Sequence, residues 1–510
     1  MNNLTVKSPQ GKLILLATIL ASGMAFLDGS VVNIAIPTIQ AKLGADLSGI
    51  QWIINAYTLM LASLILICGA LGDRFGRKRV FISGIVLFTI SSFLCSISNS
   101  TTELALFRAL QGVGGAMMVP GSLSIINTFF ESSSRGRAIG LWSGFAGGIA
   151  ALGPFLGGWL VQTLGWQAIF YINLPIGLLA FLITLKFVPE SKNNDAGKVD
   201  FAGSALLFAG LLGIAFSLIN GPEQGFLSPG ILIGLVAGFV SLIIFAVRNS
   251  KSKNPLVPLA IFKSPLVVGA NLATLCLYFA LAGVIFFTVL NFQQLQHYPP
   301  VLAGLGLLPS VLLITFLSGK GGSLADKIGP RKPMIIGPLI VSLGMAYIAF
   351  SGMRANYFIQ FMPGLILFGI GMSIVIAPLT KSALAVEEKL SGSASGVNNA
   401  VARIAGLLAV ALLGAVIALI FNLKLTSSLQ NSSLSGDSQQ VILSQKSKLM
   451  AIDIPTTFSS QERSEVSQAL DNSFLYGFRW IMGINAFLAF LSAVIAYFTI
   501  HPKAKHRRLE

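Results

Sequence analysis

Fourteen apolar stretches recur along this chain, each close to the ~20 residues that cross a bilayer as a helix and nearly free of charge. They fall at residues 13–36, 50–71, 79–98, 103–125, 137–161, 167–188, 201–220, 228–247, 266–290, 301–319, 333–351, 358–380, 394–421 and 475–499. Backbone groups in lipid must be satisfied within a helix or a closed barrel, and the alternating pattern of a membrane barrel is absent. The expected class is an all-α integral membrane protein. Composition agrees: 10% of residues are charged, against roughly 25% in soluble domains, and the mean hydropathy is +0.80.

A net charge of +16 would suit a nucleic-acid partner, but its placement argues for none. The basic residues gather in short connections between spans, where they act as topology determinants beside the lipid bilayer. With the N-terminus inside, inner segments hold 25 of the 34, including Lys198, Lys253 and Lys389 and the tail residues Lys503, Lys505, Arg507 and Arg508. Seven fall outside, and Arg108 and Arg403 remain within spans. An even span count with this bias predicts both termini in the cytoplasm. The first apolar run continues past Phe26 without a cleavage site, so it is expected to be retained as a span.

Enzymatic chemistry finds no foothold. Cys68, Cys95 and Cys276 sit in apolar stretches as small hydrophobes, with no CxxC or Cys/His cluster for a metal. The histidines His297, His501 and His506 lie near loops or the tail, and phosphate-cradling motifs are missing. No cofactor is expected, and the energy source for any transport would be an ion gradient.

The chain also repeats itself. GALGDRFGRKRV (Gly69–Val80) has a weaker copy, GGSLADKIGPRK (Gly321–Lys332), at a constant offset of 253 residues. Two halves in one orientation, each of six spans, form the parallel repeat of secondary transporters. The expected division is residues 1–190, an inserted two-helix hairpin with its flanks at 191–255, and residues 256–510. The last part includes a Ser-, Gln- and Asn-rich outer segment at about 422–473, read as a solvated loop with some helix. In the turns, Gly69, Gly76 and Gly329 permit tight geometry, and Arg74 and Arg77 face the anionic membrane surface. Asp73 and Asp326 are expected to accept hydrogen bonds from a neighbouring helix N-terminus, forming a latch that breaks and reforms.

These turns resemble the signature loop of the major facilitator superfamily. Further segments are similar to its fourteen-span drug:proton antiporters of the EmrB/QacA type. They are LDGSVVNIAIP (Leu27–Pro37), FRALQGVGGA (Phe107–Ala116), LGPFLGGWL (Leu152–Leu160), WQAIFYINLPIG (Trp166–Gly177) and VNNAVARIAG (Val397–Gly406). One departure is Ile149, where relatives carry a glycine four positions before the Gly-Pro pair. The resemblance implies a major facilitator fold and proton-driven efflux of small, lipophilic molecules, multidrug or antibiotic, from the bacterial inner membrane. It also admits a periplasmic adaptor and an outer-membrane channel as partners. Uptake by proton symport is the competing transport reading; a channel or a membrane-embedded enzyme are weaker ones.

Within this frame the intramembrane charges point to mechanism. Asp28 lies about 15 residues into an outward-running span, roughly 22 Å, and Arg108 roughly 8 Å from the outer edge of an inward-running one. Those depths are compatible in a core of ~30 Å, so a pair is expected. An opposite charge favours the ionised carboxylate and loss of water the protonated one, so proton and substrate binding would act through this pair. Asn33, Asn55, Tyr57 and Gln111 are candidate cavity residues of the first half; Asn398, Asn399 and Arg403 are those of the second. Gly153, Pro154, Gly157 and Gly158 are expected to kink or thin their span and control leakage between the halves.

Overall fold

The computed structural model describes residues 4–193, 199–252, 254–387 and 390–500. Lys198, Lys253, Lys389, the basic tail residues, His501 and His506 lie outside the described residues. Fourteen helices are long and apolar enough to cross a membrane. In chain order they are α1 (Pro9–Leu43), α2 (Leu47–Phe75), α3 (Arg77–Ser96), α4 (Thr101–Phe129), α5 (Ser132–Leu164) and α6 (Ala168–Phe187), then α7 (Phe201–Gln224) and α8 (Pro229–Lys251). They continue with α9 (Pro265–Leu295), α10 (Pro300–Ile328), α11 (Arg331–Ala349), α12 (Tyr357–Ala383), α13 (Ser391–Gln430) and α14 (Ser460–Thr499). The architecture is two six-helix halves, α1–α6 and α9–α14, with an α7–α8 hairpin between them in sequence.

Helix starts follow local chemistry. Ser8, Asp46, Ser100 and Asp200 cap α1, α2, α4 and α7 by accepting a backbone N–H, and Ser459 with Glu462 forms a reciprocal capping box on α14. The α2–α3 turn is a single residue, Gly76, at φ 119°, a backbone conformation that excludes ordinary side chains.

In the hairpin, glycines set the helix spacing. A Cβ on Gly213 would stand 2.5 Å from the Gly234 carbonyl oxygen, and one on Gly238 would stand 3.0 Å from that of Gly210. One face of α7 buries Leu207, Leu211, Ala215 and Ile219 against Leu59 and Ala62 of α2 and Leu407 and Ala411 of α13. The hairpin therefore straddles a seam between the halves. By contrast α8 leaves Ile233, Val236, Phe239 and Ile243 exposed, as a lipid-facing helix does.

The start of α1 and the Asp73 and Asp326 turns share one side, here the basic face. The connection between α13 and α14 lies on the other, the cap face. That connection contains the helix and exposed polar residues read from composition, and adds a buried apolar underside. Helix α13 runs on to Gln430, a short helix spans Gly436–Leu443, a 3-10 turn spans Lys446–Ala451, and α14 begins at Ser460. Leu434, Ile442, Leu449, Ile452 and Phe458 are buried beneath it. A few well-spaced apolar side chains hold a polar segment in a folded cap.

The halves are closed at the cap face. Gln40 of α1 donates to the Lys448 carbonyl (3.1 Å) and accepts from Gln294 (2.7 Å), while Gln293 donates to the Ile34 carbonyl (2.9 Å). Both donors sit on the π-helical turn Asn291–Leu295 that ends α9, which turns them toward α1. Gln51 of α2 reaches the Val410 carbonyl of α13 at 2.6 Å. On α5 a gradient shows where the closure stops. A Cβ on Gly158 would lie 2.5 Å from the Pro300 carbonyl oxygen of α10, whereas Gly136, Gly140, Gly144, Gly147 and Gly148 have open space. The crevice between the halves thus opens toward the basic face.

Candidate functional site

The site grows from one carboxylate. Asp28, on α1 among Leu27, Val31 and Val32, is 1% exposed. One of its oxygens, Oδ2, accepts from Arg108 Nη1 of α4. The other, Oδ1, accepts from Gln111 Nε2 at 2.8 Å and from Asn173 Nδ2 of α6 at 3.3 Å. Arg108, also 1% exposed, donates in addition to Gln111 Oε1 (2.7 Å) and to the Ile53 carbonyl of α2 (3.2 Å). Its guanidinium carbon stands 4.3 Å from the centroid of the Tyr57 ring, a cation–π contact that occupies a face no hydrogen bond can reach. Asn173 donates to Ser92 (3.0 Å), which donates to the Phe170 carbonyl (2.9 Å).

Helical spacing explains why α4 supplies two of these groups. Arg108 and Gln111 are three residues apart and so project from one face. Close approach of α4 to its neighbours depends on missing side chains. A Cβ on Gly112 would collide with the Tyr57 carbonyl of α2, and one on Gly114 would stand 2.7 Å from the Phe88 nitrogen of α3. A buried ion pair is tolerable only when its remaining hydrogen-bonding capacity is met, and here both partners are held from several sides.

The expected Asp28–Arg108 pair and Gln111 are therefore together, with Tyr57 against them. Tyr57 itself donates to the Ala25 carbonyl at 3.1 Å. Asn173 is the member that sequence reasoning missed: it lies in the WQAIFYINLPIG segment two residues before Pro175, where asparagine reads as a turn residue. The other candidates are placed apart. Asn55 is fully buried with neither amide atom partnered. Asn33 is half-buried and returns its amide to the Gly29 carbonyl (3.0 Å). Asn398 bonds Asn271 (3.2 Å) and Thr274 (3.0 Å) of α9, a contact within its own half. Asn399 is exposed and donates to the Ser395 carbonyl (3.0 Å). Arg403 stacks over Phe26 of α1 at 5.6 Å, across the interface between halves.

The signature turns require a correction. Asp73 does not meet a helix N-terminus; it pairs with Arg77 at 2.8 Å, which also donates to Thr128 at 2.6 Å. Asp326 pairs with Lys381 of α12 instead. The carboxylate on a helix start belongs to Glu190, which accepts from the backbone N–H of Lys78 (3.0 Å) and Arg79 (3.2 Å) on α3. A Cβ on Gly76 would lie 2.8 Å from that carboxylate, so this glycine clears space for the contact. Arg74 makes no ion pair among the described residues and lies 5.6 Å from the Phe75 ring centroid. Gly69 has only Pro120 of α4 nearby.

The α5 glycines mediate close approach in two directions. Gly153 sits against Ser30 and Gly157 against Val31 of α1, while Gly158 faces the α10 backbone. Pro154 presents its carbonyl to Gly304 of α10, and α5 continues through it as one helix. Ile149, the departure from the family pattern, packs its side chain onto Gly23 of α1, so the small partner has changed helix. Among the described residues no group of His, Cys, Asp and Glu is placed to hold a metal.

Two helical halves around a crevice, with a buried carboxylate–arginine pair in the first, are the architecture of a membrane transporter of small molecules. The comparisons agree. The family model of the Major Facilitator Superfamily matches residues 18–410, and the chain belongs to this superfamily. Its fourteen spans and its relatives place it with the drug-resistance members of the EmrB/QacA type. It is 34% identical over 409 residues to the multidrug resistance protein Stp of Mycobacterium tuberculosis, covering 80% of this chain and 76% of that one. It is 31% identical over 496 residues to the tetracenomycin C resistance and export protein of Streptomyces glaucescens, covering 95% and 91%. The fold is shared with the crystal structure of a bacterial homologue of the human lysosomal transporter Spinster, at a TM-score of 0.67 and 15% identity, covering 97% of each chain.

Proposed function

We propose that this protein exports small lipophilic molecules from the bacterial cytoplasm in exchange for protons, by alternating access of the central crevice. The observation that carries the reading is Asp28, a carboxylate buried mid-helix with donors from α4 and α6 on both oxygens. Intramembrane carboxylates are costly and are kept where charge must change. In the conformation described, Arg108, Gln111 and Asn173 occupy both oxygens of Asp28 with donated hydrogen bonds. Parting these donors while the cap face opens frees the carboxylate oxygens, and Asp28 then takes a proton from the outer side. The proton leaves when the pair re-forms.

In this reading the basic face is cytoplasmic, both termini lie in the cytoplasm, and the functional units are residues 1–190, 191–255 and 256–510. Export is supported by relatives named for drug resistance and export. Gly153, Pro154, Gly157 and Gly158 serve as the surface on which α5 meets α1 and α10 when the cap face is shut. The test is purified protein in liposomes under an imposed proton gradient, with a panel of lipophilic dyes and antibiotics as substrates. Substrate moving against the proton flow supports antiport; substrate moving with it is symport and overturns the proposal.

A further inference from the structure

The two intramembrane arginines are in opposite circumstances. Arg108 is enclosed, paired with Asp28 and bonded to Gln111 and the Ile53 carbonyl. Arg403 lies 12 residues into α13 from Ser391, about 18 Å by helical rise, and has no hydrogen bond or ion pair among the described residues. It is half-buried, and its position over Phe26 of α1 places it at the interface between the halves. Its contacts are aromatic. It stands over the Phe26 ring of α1 at 5.6 Å. One helical turn before it, the exposed side chain of Asn399 projects on the same side.

Among the described residues no carboxylate pairs with this charge. Asp28 already accepts three hydrogen bonds and is 1% exposed, so its carboxylate is not offered to Arg403 or to a cationic ligand in this conformation. A guanidinium is weakly hydrated, planar and matched to carboxylate, sulfonate and phenolate oxygens through paired N–H groups. Beside an aromatic ring it also suits a flat, apolar molecule carrying such an oxygen.

We propose that Arg403 docks an anionic oxygen of the transported molecule, so that the crevice favours anionic aromatic amphipaths over the same skeletons without charge. This names a substrate class and rests on the transporter reading above, with the crevice as the substrate path. It does not rest on proton coupling.

The experiment uses two probes sharing one ring system, anilinonaphthalene sulfonate and uncharged phenylnaphthylamine. Binding is measured by fluorescence on the full chain in zwitterionic phosphatidylcholine nanodiscs, with empty nanodiscs subtracted. Arg403→Gln is expected to weaken binding of the sulfonate about ten-fold, the scale of one charge-assisted hydrogen bond, and to change phenylnaphthylamine binding less than about two-fold. Arg403→Lys, which keeps the charge but loses the paired N–H groups, is expected to bind the sulfonate less tightly than the native chain and more tightly than Arg403→Gln. Phenylnaphthylamine binding also reports that each variant is folded.

Equal loss of both probes, unchanged sulfonate binding in Arg403→Gln, or a lysine variant as weak as the glutamine one would each overturn the proposal. Equal loss would instead mark Arg403 as a structural group or an alternate partner of Asp28. No proton gradient is used. Failure of proton-driven transport with the sulfonate preference intact would remove the coupling reading alone.

Discussion

The two halves carry corresponding architecture but treat their polar groups differently. In α1–α6, Arg108 is bound to Asp28, Gln111 and the Ile53 carbonyl, and the Asp73 turn is braced by Arg77 and by Glu190 on the start of α3. In α9–α14, Arg403 has only aromatic company, and the Asp326–Lys381 pair is largely exposed. The first half holds its charges internally, as a device that changes state in a defined way must. The second half leaves a charge at the interface between the halves, where a ligand can meet it. Sequence repetition thus conserves the frame while the chemistry divides between the halves.

The largest contrast concerns stability. Removing one partner of a buried ion pair strands the other, so Arg108→Gln is expected to cost about 3–5 kcal/mol, read as a lowered unfolding midpoint in detergent. Arg403→Gln should cost less than about 0.5 kcal/mol, because no protein partner is left stranded. Equal destabilisation by the two variants would break the comparison.

The next effect sits at the seam between the halves. Gly158→Ala places a methyl group against the Pro300 carbonyl, and overpacking of about 1–3 kcal/mol should disfavour the conformation closed at the cap face. Cysteine accessibility or spin-label distances across α5 and α10 would report a shift toward cap-face opening. The control is Gly144→Ala, in open space, which should leave those distances unchanged.

The smallest effect compares the two turns. Glu190→Gln should cost about 1 kcal/mol through weaker support of the α3 start. Asp326→Asn should cost about 0–0.5 kcal/mol, as expected for an exposed pair. Thermal unfolding of the two variants side by side checks the order.

How much of this was legible in the sequence depends on the range of the signal. The spans were legible because lipid demands a long local pattern, and the Asp28–Arg108–Gln111 group because charge within an apolar run stands out. Asn173 was not, since an asparagine two residues before Pro175 gives the same local signal whether it ends a turn or ligates a carboxylate. Glu190 was hidden for another reason: it meets the α3 start from 112 residues further along the chain. The underside of the cap was hidden because its serines and glutamines outweigh Leu434, Ile442 and Leu449, whose burial only the folded chain reveals.

The central claim is that Asp28 couples protons to export. Its most direct test is Asp28→Asn in proteoliposomes, comparing gradient-driven accumulation of a transported dye with dye-for-dye exchange at equal pH on both sides. The account predicts that accumulation is lost while exchange persists, since the crevice still binds and alternates. Accumulation at the wild-type level under the same proton gradient would contradict it.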